Sequence, residues 1–391
     1  MEAGLKEFHR IWLRVFLVWA FAGTATVGIR PAFSQEGSRT QALALEQRQQ
    51  NTEAELVWHD IAQREPQNAE AFAHLGLLEA RQEHYDDAIA YYRKALSLDP
   101  ALPGLDMNLG LSLFKANRFK EAIKPFTQEL RKHPGDQRLT ILLGMSHYGM
   151  GDYLVAIPYL KRAAEKDPAS LPLRLALAHS CLWSKQYQCV MDVYKEMLAL
   201  NVESAEADML AGEALDGEGD TPGAIEQFRA ALRANPKEPN AHFGLGYLLW
   251  TQSHFDEAAK EFQAELDNDP RQIQARDYLG DCYVQLNNYA KALPELEKDV
   301  AADPGFALVH RDLGIVYVSS GHRDEAAKEL LEAISLDPRD VTPHWQLARL
   351  YKQMGRQDEA KAEFAKASTM LREKNQALYQ KMQGSPSASQ P

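Results

Sequence analysis

The side chains in this sequence that could most readily bind a metal or form a covalent bond are three histidines and two cysteines. His242, His310 and His344 recur in register with one regular spacing of the chain, and imidazole is a common metal ligand. Cys181 and Cys189 could form a disulfide in an oxidising compartment. The chain contains no glycine-rich phosphate loop, no Cys-x-x-Cys pair, no His-Glu-x-x-His and no Gly-x-Ser-x-Gly elbow. We therefore predict no catalytic site and no cofactor.

One fixed spacing, equal to the interval from Gly76 to Gly110, runs through the chain and determines where these side chains stand. We call this interval the repeat length. The stretch from Pro239 to Gln272 is representative, with Gly246 at position 8, Ala258 at position 20 and Phe262 at position 24. Three registers that agree over nine units without an insertion predict a repeat architecture. The registers are proline at Pro66, Pro100, Pro134, Pro168, Pro236, Pro270, Pro304 and Pro338, glycine at Gly76, Gly110, Gly144, Gly212, Gly246, Gly280 and Gly314, and alanine at Ala88, Ala122, Ala156, Ala224, Ala258, Ala292, Ala326 and Ala360.

Each half of a repeat has the apolar spacing of an amphipathic helix, as residues 240–252 and 256–268 illustrate. Carboxylates at the start of the second helix suit the positive end of its dipole, and Pro270 marks where that helix has ended. Small residues at positions 8 and 20 allow close approach of the two helices, and bulky residues at position 24 fill the gap to the next hairpin. One hairpin cannot bury its apolar face alone, so neighbouring hairpins must stack.

This pattern resembles the tetratricopeptide repeat family, whose Leu-Gly, Ala, aromatic and Pro positions it matches in nine consecutive repeats over residues 69–374. The resemblance implies an all-α fold, a right-handed α-solenoid of stacked helix-turn-helix hairpins, and a non-enzymatic scaffold that binds a protein or peptide partner. We expect one continuous array without an internal boundary. In this family position 4 packs inside the solenoid, so we interpret the three histidines as packing residues and predict no metal site.

The formal net charge of −12 argues against a nucleic-acid partner, which would require a basic stripe or patch. Residues 1–34 differ in character from the rest, with a basic start, an apolar run over residues 15–29 and a small-x-small pattern ending at Ser34. These features predict a signal peptide over residues 1–34, cleaved before Gln35, and an exported protein that is periplasmic or extracellular. The alternative is an uncleaved anchor in the inner membrane, although a span requires about 20 apolar residues.

Segments on either side of the repeats are predicted to be irregular or to form caps. Residues 35–68 are expected to form a linker followed by a capping helix, which begins near Glu53. The pattern continues beyond the ninth repeat, so a helical extension is predicted for residues 375–383. A disordered tail is predicted for residues 384–391 because they are rich in Gly, Ser, Pro and Gln.

The fourth repeat departs most from the pattern. Ala178, Val190 and Val202 replace its glycine, alanine and proline. Cys181 and Cys189 occupy opposite helices of this hairpin near its turn, so their side chains could come within disulfide range. The alternative is a pair of buried free thiols at positions that suit small residues, and we favour this interpretation.

Partner specificity in this family is set by the concave wall, which first helices contribute at about positions 2, 5, 9 and 12. The residues at these positions form an apolar zone in repeats two to four, an aromatic and acidic zone in repeats five to seven, and a basic zone at the far end. The alternative for all of them is packing against neighbouring helices. The candidate groove residues are Met107, Leu111, Phe114, Ile141, Met145 and Tyr148, then Glu213, Asp216, Phe243, Tyr247, Trp250, Asp277 and Asp281, and finally Arg311, Trp345 and Arg349.

Phe243, Tyr247 and Trp250 are spaced four and three residues apart, so they share one face of a helix. With carboxylates expected on both sides of them, this zone is predicted to bind a basic, amphipathic segment of a partner. The leading hypothesis is therefore an exported scaffold with a peptide or helix of another protein in its groove. The alternative is a membrane-anchored accessory subunit of a bacterial envelope assembly or secretion complex.

Overall fold

The computed structural model describes residues 35–200 and 203–383, which form twenty helices joined by turns, with no strand among them. The predicted signal peptide, the predicted tail and Val202 lie outside these residues. Successive helices pair into hairpins, and the second helices of the hairpins begin at a constant spacing, as Tyr85, Phe119 and Tyr153 illustrate. The predicted all-α fold of stacked hairpins is confirmed.

The described residues divide by their contacts into two compact units, the first ending at Ala163 and the second beginning at Ala164. The N-terminal unit contains α1 (Gln35–Gln47), α2 (Asn51–Arg64), α3 (Ala69–Arg81), α4 (Tyr85–Leu98), α5 (Leu105–Lys115), α6 (Phe119–Lys132), α7 (Gln137–Gly149) and most of α8 (Tyr153–Lys166). The C-terminal unit contains α9 (Leu171–Trp183), α10 (Tyr187–Ala199), α11 (Ala205–Glu218), α12 (Thr221–Ala234), α13 (Ala241–Thr251), α14 (Phe255–Asn268), α15 (Ile273–Gln285), α16 (Tyr289–Ala302), α17 (Ala307–Ser320), α18 (Arg323–Leu336), α19 (Val341–Gln353) and α20 (Gln357–Gln383).

The division into two units differs from the single array expected from the sequence. It falls inside α8, the second helix of the third repeat. The repeat pattern contains no signal for such a boundary, because the same residue types recur in register before and after it.

The segment before the first repeat is a complete helical hairpin, so the prediction of an irregular linker over its first residues is wrong. Ala42 in α1 is fully buried and lies one repeat length before Gly76, at the small-residue position of the repeat. The carboxylate of Glu46 in α1 accepts a 2.6 Å hydrogen bond from the indole nitrogen of the buried Trp58 in α2. Both contacts require α1 to be helical and docked.

The glycine at position 8 makes room for the bulky side chain at position 24 of its own repeat. A Cβ added to Gly110 would stand 2.5 Å from the ring of Phe126, and one added to Gly246 would stand 3.0 Å from the ring of Phe262. The Phe262 ring also stacks on Tyr278 of the next hairpin, with centroids 5.5 Å apart. The residue at position 24 therefore fills both the space above its own glycine and the gap to the next hairpin.

Each described hairpin turns through one residue with a positive φ, always at position 15 of the repeat. Glycine adopts this left-handed conformation without strain, whereas other residues incur a steric penalty there. The turn geometry is therefore kept even where the sequence does not supply glycine. Glycine occupies the position at Gly151, Gly219, Gly321 and Gly355, and other residues occupy it at Gln49, Glu83, Asn117, Lys185, Ser253 and Asn287, with φ from 56° to 63°.

Helix α13 starts two residues later than most first helices and is capped from within its own hairpin. Its N-cap residue, Asn240, has a φ of 65°, and its side chain makes no capping hydrogen bond. The buried carboxylate of Glu265 in α14 instead accepts from the backbone N–H groups of Asn240 (3.2 Å) and Phe243 (3.0 Å). This carboxylate fixes the start of the helix that carries the predicted aromatic residues.

Candidate functional site

Four aromatic side chains form one continuous surface on the first helices of repeats six and seven. Phe243, Tyr247 and Trp250 follow one another along α13, with centroid distances of 6.4 and 6.0 Å. Tyr278 of α15 makes edge contacts with all three rings, at 6.1, 5.5 and 5.0 Å respectively. All four are half-buried. We call these four residues the aromatic face.

Tyr278 stands at position 6 of its repeat, outside the four groove positions, so the sequence pattern did not predict it. Tyr278 also stacks on Phe262, which lies at position 24 of the preceding repeat and fills the gap between the two hairpins. The aromatic face therefore lies directly beside that gap. Burial, helped by nearby Tyr247, Asp277 and Asp281, raises the pKa of Tyr278, so the hydroxyl is neutral at physiological pH.

The two carboxylates expected on the far side of the aromatic rings are not accessible. Asp277 is 2% exposed and Asp281 is 1% exposed. Asp281 accepts hydrogen bonds from the indole nitrogen of Trp250 (2.5 Å) and from the guanidinium of Arg311 (2.5 Å). The prediction that these two aspartates line a solvent-facing acidic row is wrong, because both are partners for groups inside the array.

Arg311 is likewise part of the interior and does not contribute to a basic wall. Its Nε donates to Asp312 at 2.8 Å, and its Nη1 lies 3.6 Å from Asp340. Burial disfavours the charge, but Asp312 and Asp281 outweigh it and hold the pKa of Arg311 above its ordinary value. The sequence could not show this, since each partner other than Asp312 comes from about one repeat away.

Trp250 therefore has two roles that the sequence did not separate. Its ring belongs to the aromatic face, and its N–H group satisfies the buried Asp281. Truncating Trp250 would leave that carboxylate short of a donor, which is destabilising in the interior. Tyr247 is the better residue with which to test binding, because its ring contacts are with members of the aromatic face.

Accessible acidic groups remain on one side of the aromatic face. Glu213 and Asp216 have exposed surface, and both lie on α11, the first helix of repeat five. The sequence of α11 contains five acidic residues and no lysine or arginine. Glu206, another of these residues, lies 2.7 Å from His179. Helix α11 thus presents net negative charge.

The apolar candidates of the N-terminal unit lie on α5 and α7. Met107, Leu111 and Phe114 are half-buried and pack against the core formed by α4 to α7. Ile141 and Tyr148 are also half-buried. These five residues form what we call the apolar face. Met145 does not belong to it: this flexible, unbranched side chain packs inward and is 4% exposed.

The candidates at the end of the array lie together on α19. Trp345 retains 37% of its surface, and Arg349, one helical turn later, is exposed. The ring of Trp345 makes an edge contact with Phe364 of α20, with centroids 5.3 Å apart. This part of the predicted basic zone is at the surface, in contrast to Arg311.

The three histidines at position 4 link the two helices of their hairpins through hydrogen bonds. Each Nδ1 atom lies 2.6 Å from a glutamate at position 23. Among residues 35–200 and 203–383, no group of three or more His, Cys, Asp or Glu side chains could hold a metal ion. The pairs are His242 with Glu261, His310 with Glu329, and His344 with Glu363.

Cys181 and Cys189 form a disulfide that joins α9 to α10, with Cα atoms 5.8 Å apart. The interpretation as two free thiols is wrong, because the two positions meet across the turn of one hairpin at disulfide distance. Cys282 is a buried free thiol. Burial and the nearby Asp281 and Asp312 raise the pKa of Cys282, so it is not a reactive thiolate.

Helical hairpins stacked around apolar layers, with half-buried aromatic and apolar faces on their first helices, define an interaction scaffold of the helical-repeat class. The chain belongs to the tetratricopeptide repeat family. Sequence profiles described as "Tetratricopeptide repeat" match residues 69–102, 107–170, 192–239, 209–273, 243–305 and 342–370, and one described as "TPR repeat" matches residues 316–355. Together these matches cover more than half of the chain.

Several solved structures are similar in fold. MamA from Desulfovibrio magneticus RS-1 is 22% identical, with a TM-score of 0.39, over 43% of this chain and 96% of that one. YrrB, described as a TPR protein with an unusual peptide-binding site, is 20% identical, with a TM-score of 0.40, over 48% and 97%. The Cut9–Hcn1 complex is 17% identical, with a TM-score of 0.46, over 81% and 63%. No curated protein sequence matches the chain.

None of the helices in the described part of the chain combines the length and the apolar composition needed to cross a membrane.

Proposed function

We propose that this protein is an exported scaffold that binds a basic, amphipathic segment of a partner protein at the aromatic face. The observation that carries the proposal is the arrangement of Phe243, Tyr247, Trp250 and Tyr278 as four partly exposed rings in mutual contact. Packing between hairpins already requires Phe262, but it does not require three further large rings along α13. Clustered aromatic residues with exposed surface are typical of interfaces.

Charge supports the basic character of the partner. Glu213 and Asp216 are exposed on α11, the first helix of the repeat before the aromatic face. The chain as a whole carries a formal net charge of −12. A segment with Lys or Arg beside apolar side chains would gain contact area from the rings and would be steered by the carboxylates. Since Asp277 and Asp281 are buried, the steering charge comes from one side only.

The apolar face of the N-terminal unit is a second surface that suits apolar side chains of a partner. Its five members keep part of their surface in water, although Phe114 contacts the half-buried ring of Phe119 and the core ring of Phe126, at 5.2 and 6.5 Å. Met107 and Leu111 offer flexible aliphatic contact of the kind that adapts to different ligands. Because none of its five members is charged, this surface contributes affinity and does not select a basic ligand.

Affinity capture with the purified protein tests the proposal. Protein partners are recovered from an envelope extract, identified by mass spectrometry, and their binding segments are titrated as synthetic peptides. Tyr247→Ala should weaken binding by about 2 kcal/mol or more, because the ring is an anchor that packs on other rings of the face. Tyr283→Ala is the matched control, since it removes a half-buried tyrosine outside the aromatic face.

The charge contribution is tested separately with Glu213→Lys. This reversal should slow association and reduce its dependence on salt while leaving dissociation nearly unchanged. Equal binding by Tyr247→Ala and the parent would exclude the aromatic face as the site. A captured segment without basic residues would leave the face as the site and exclude the proposed partner class.

Export is proposed from the N-terminal sequence. The apolar run over residues 15–29 and the cleavage pattern before Gln35 have the lengths and order of a signal peptide. N-terminal sequencing of the protein recovered from the producing cells decides between two versions. A chain that begins at Gln35 is the free scaffold, whereas an intact N-terminus recovered from the membrane fraction would show the anchored accessory subunit instead.

A further inference from the structure

Two buried carboxyl groups in repeat seven contact each other in a way that requires a proton. Asp277 and Asp299 are 2% and 0% exposed, and their carboxyl groups face each other. Asp277 Oδ1 and Asp299 Oδ2 accept no hydrogen bond from any donor group. An ionised carboxylate only accepts hydrogen bonds, so two ionised groups could not make this contact. A proton on one of them turns the contact into an O–H···O hydrogen bond.

A second pair of the same kind joins repeats seven and eight. Asp281 Oδ1 accepts hydrogen bonds from Arg311 and Gln285, and its Oδ2 accepts one from Trp250, so both oxygens already have donors. The fully buried Asp312 accepts from Arg311 at Oδ1, while its Oδ2 has no donor and its carboxyl group faces Asp281. Every hydrogen-bonding atom of this pair has a partner when Asp312 carries a proton and donates a hydrogen bond to Asp281.

The charges around these pairs do not remove the need for protons. Arg276 binds Asp299 at 3.2 Å and approaches Glu295 at 3.7 Å, and Arg311 contacts Asp281, Asp312 and Asp340. Two guanidinium groups thus face four carboxyl groups that are at most 2% exposed, where an unpaired negative charge is strongly unfavourable. The other titratable and charged groups that interact with these pairs are Arg276, Tyr278, Cys282, Glu295, Asp303, Arg311 and Asp340.

We propose that the C-terminal unit binds two protons in this layer, one shared by Asp277 and Asp299 and one carried by Asp312, and that they hold the support of the aromatic face in place. The support is direct, because Asp281 is the acceptor for the indole N–H group of Trp250. If Asp312 lost its proton, two ionised carboxylates would face each other beside that bond. The proposal concerns proton binding by the folded chain and does not depend on any partner.

The sign of the pH dependence follows from burial. Burial is the largest cause that raises the pKa values of Asp277, Asp299 and Asp312 above the ordinary value of an aspartate. The folded chain therefore holds these protons more tightly than the unfolded chain does. Their stabilising contribution is fully present below about pH 4, the ordinary aspartate pKa, and is lost as the pH rises through the raised values.

Proton release on unfolding tests the proposal. At about pH 6, where unfolded aspartates are ionised, unfolding of the full chain by denaturant should release about two protons from this layer. Asp277→Asn and Asp312→Asn should each release about one proton fewer than the parent, because an amide donates the same hydrogen bond without binding a proton. Asp216→Asn, which changes an exposed aspartate, should release the same number as the parent.

A second measurement keeps the test decisive if either variant fails to fold. The indole N–H resonance of Trp250, identified by its loss in Trp250→Phe, should exchange faster with solvent in the parent as the pH rises from about 5 to about 9, and less so in Asp312→Asn. Equal proton release by Asp277→Asn, Asp312→Asn and Asp216→Asn would overturn the proposal. So would a Trp250 resonance whose exchange follows only the general base dependence shown by an exposed indole such as that of Trp345.

Discussion

At the scale of single residues, the distance between a glycine and the ring packed on it predicts how much an alanine at that position would destabilise the protein. A Cβ on Gly110 would approach the Phe126 ring to 2.5 Å, whereas one on Gly212 would lie 3.3 Å from the Phe228 ring. Phe126 is fully buried in the core, so moving its ring would displace its neighbours. Gly110→Ala should therefore destabilise the protein by about 1–3 kcal/mol through overpacking.

Gly212→Ala is the matched control for that substitution. It places the same methyl group in the same helical position but at a distance that a shift of a few tenths of an ångström relieves. The better helix propensity of alanine, worth up to about 1 kcal/mol, then offsets the crowding. Denaturant unfolding of both variants measures the difference, and equal losses of stability would show that the ring contact does not decide the cost.

The residue scale also shows what the sequence could and could not predict about the site. The common face of Phe243, Tyr247 and Trp250 follows from helical spacing alone, and in the structure the three rings follow one another. The burial of Asp281 could not be predicted, because it depends on an indole from the preceding repeat and a guanidinium from the following one. A residue's position in a repeat determines the direction of its side chain, and the identity of the neighbouring residues determines whether that side chain is exposed to solvent.

At the scale of single elements, the start of α13 depends on one carboxylate from α14. Glu265 accepts from the N–H groups of Asn240 and Phe243 and is 3% exposed. Glu265→Ala should cost about 1–3 kcal/mol, because it leaves two partly buried donors without an acceptor. Gln263→Ala, on the exposed side of the same helix, should change stability by less than about 0.5 kcal/mol.

A second substitution at the same residue separates the cap from the charge of the side chain. Glu265→Gln keeps one acceptor oxygen and removes the negative charge, so its stability should lie between those of Glu265→Ala and the parent. Thermal or denaturant unfolding followed by circular dichroism gives the three values. If Glu265→Gln proved as unstable as Glu265→Ala, the charge at the helix start would be the important contribution, and the hydrogen bonds would be secondary.

Elements were predicted well where the repeat pattern was complete and poorly where it was partial. The nine hairpins over residues 69–374 follow from apolar periodicity and the proline positions. The hairpin before them was missed at α1, since its polar sequence hides the one informative residue, Ala42. Its place one repeat length before Gly76 was the available signal. The disulfide was not predicted, because cysteines at these two small-residue positions suit either a disulfide or a pair of buried free thiols.

At the scale of the whole molecule, a repeat spacing without insertions means that hairpins are interchangeable in length. Removing residues 103–136 deletes α5 and α6 and joins α4 to α7 with an unchanged connection and register. Because each hairpin packs mainly on its neighbours, the shortened chain should fold, with helical content reduced in proportion and unfolding still cooperative.

Removing residues 103–118 alone deletes α5 but leaves α6 without its partner. That variant is the control, and it should expose the apolar surface of α6 and aggregate or lose its cooperative transition. Circular dichroism with denaturant unfolding compares the two, and a full-repeat deletion that failed to fold, or a half-repeat deletion as stable as the full one, would contradict the neighbour-packing account.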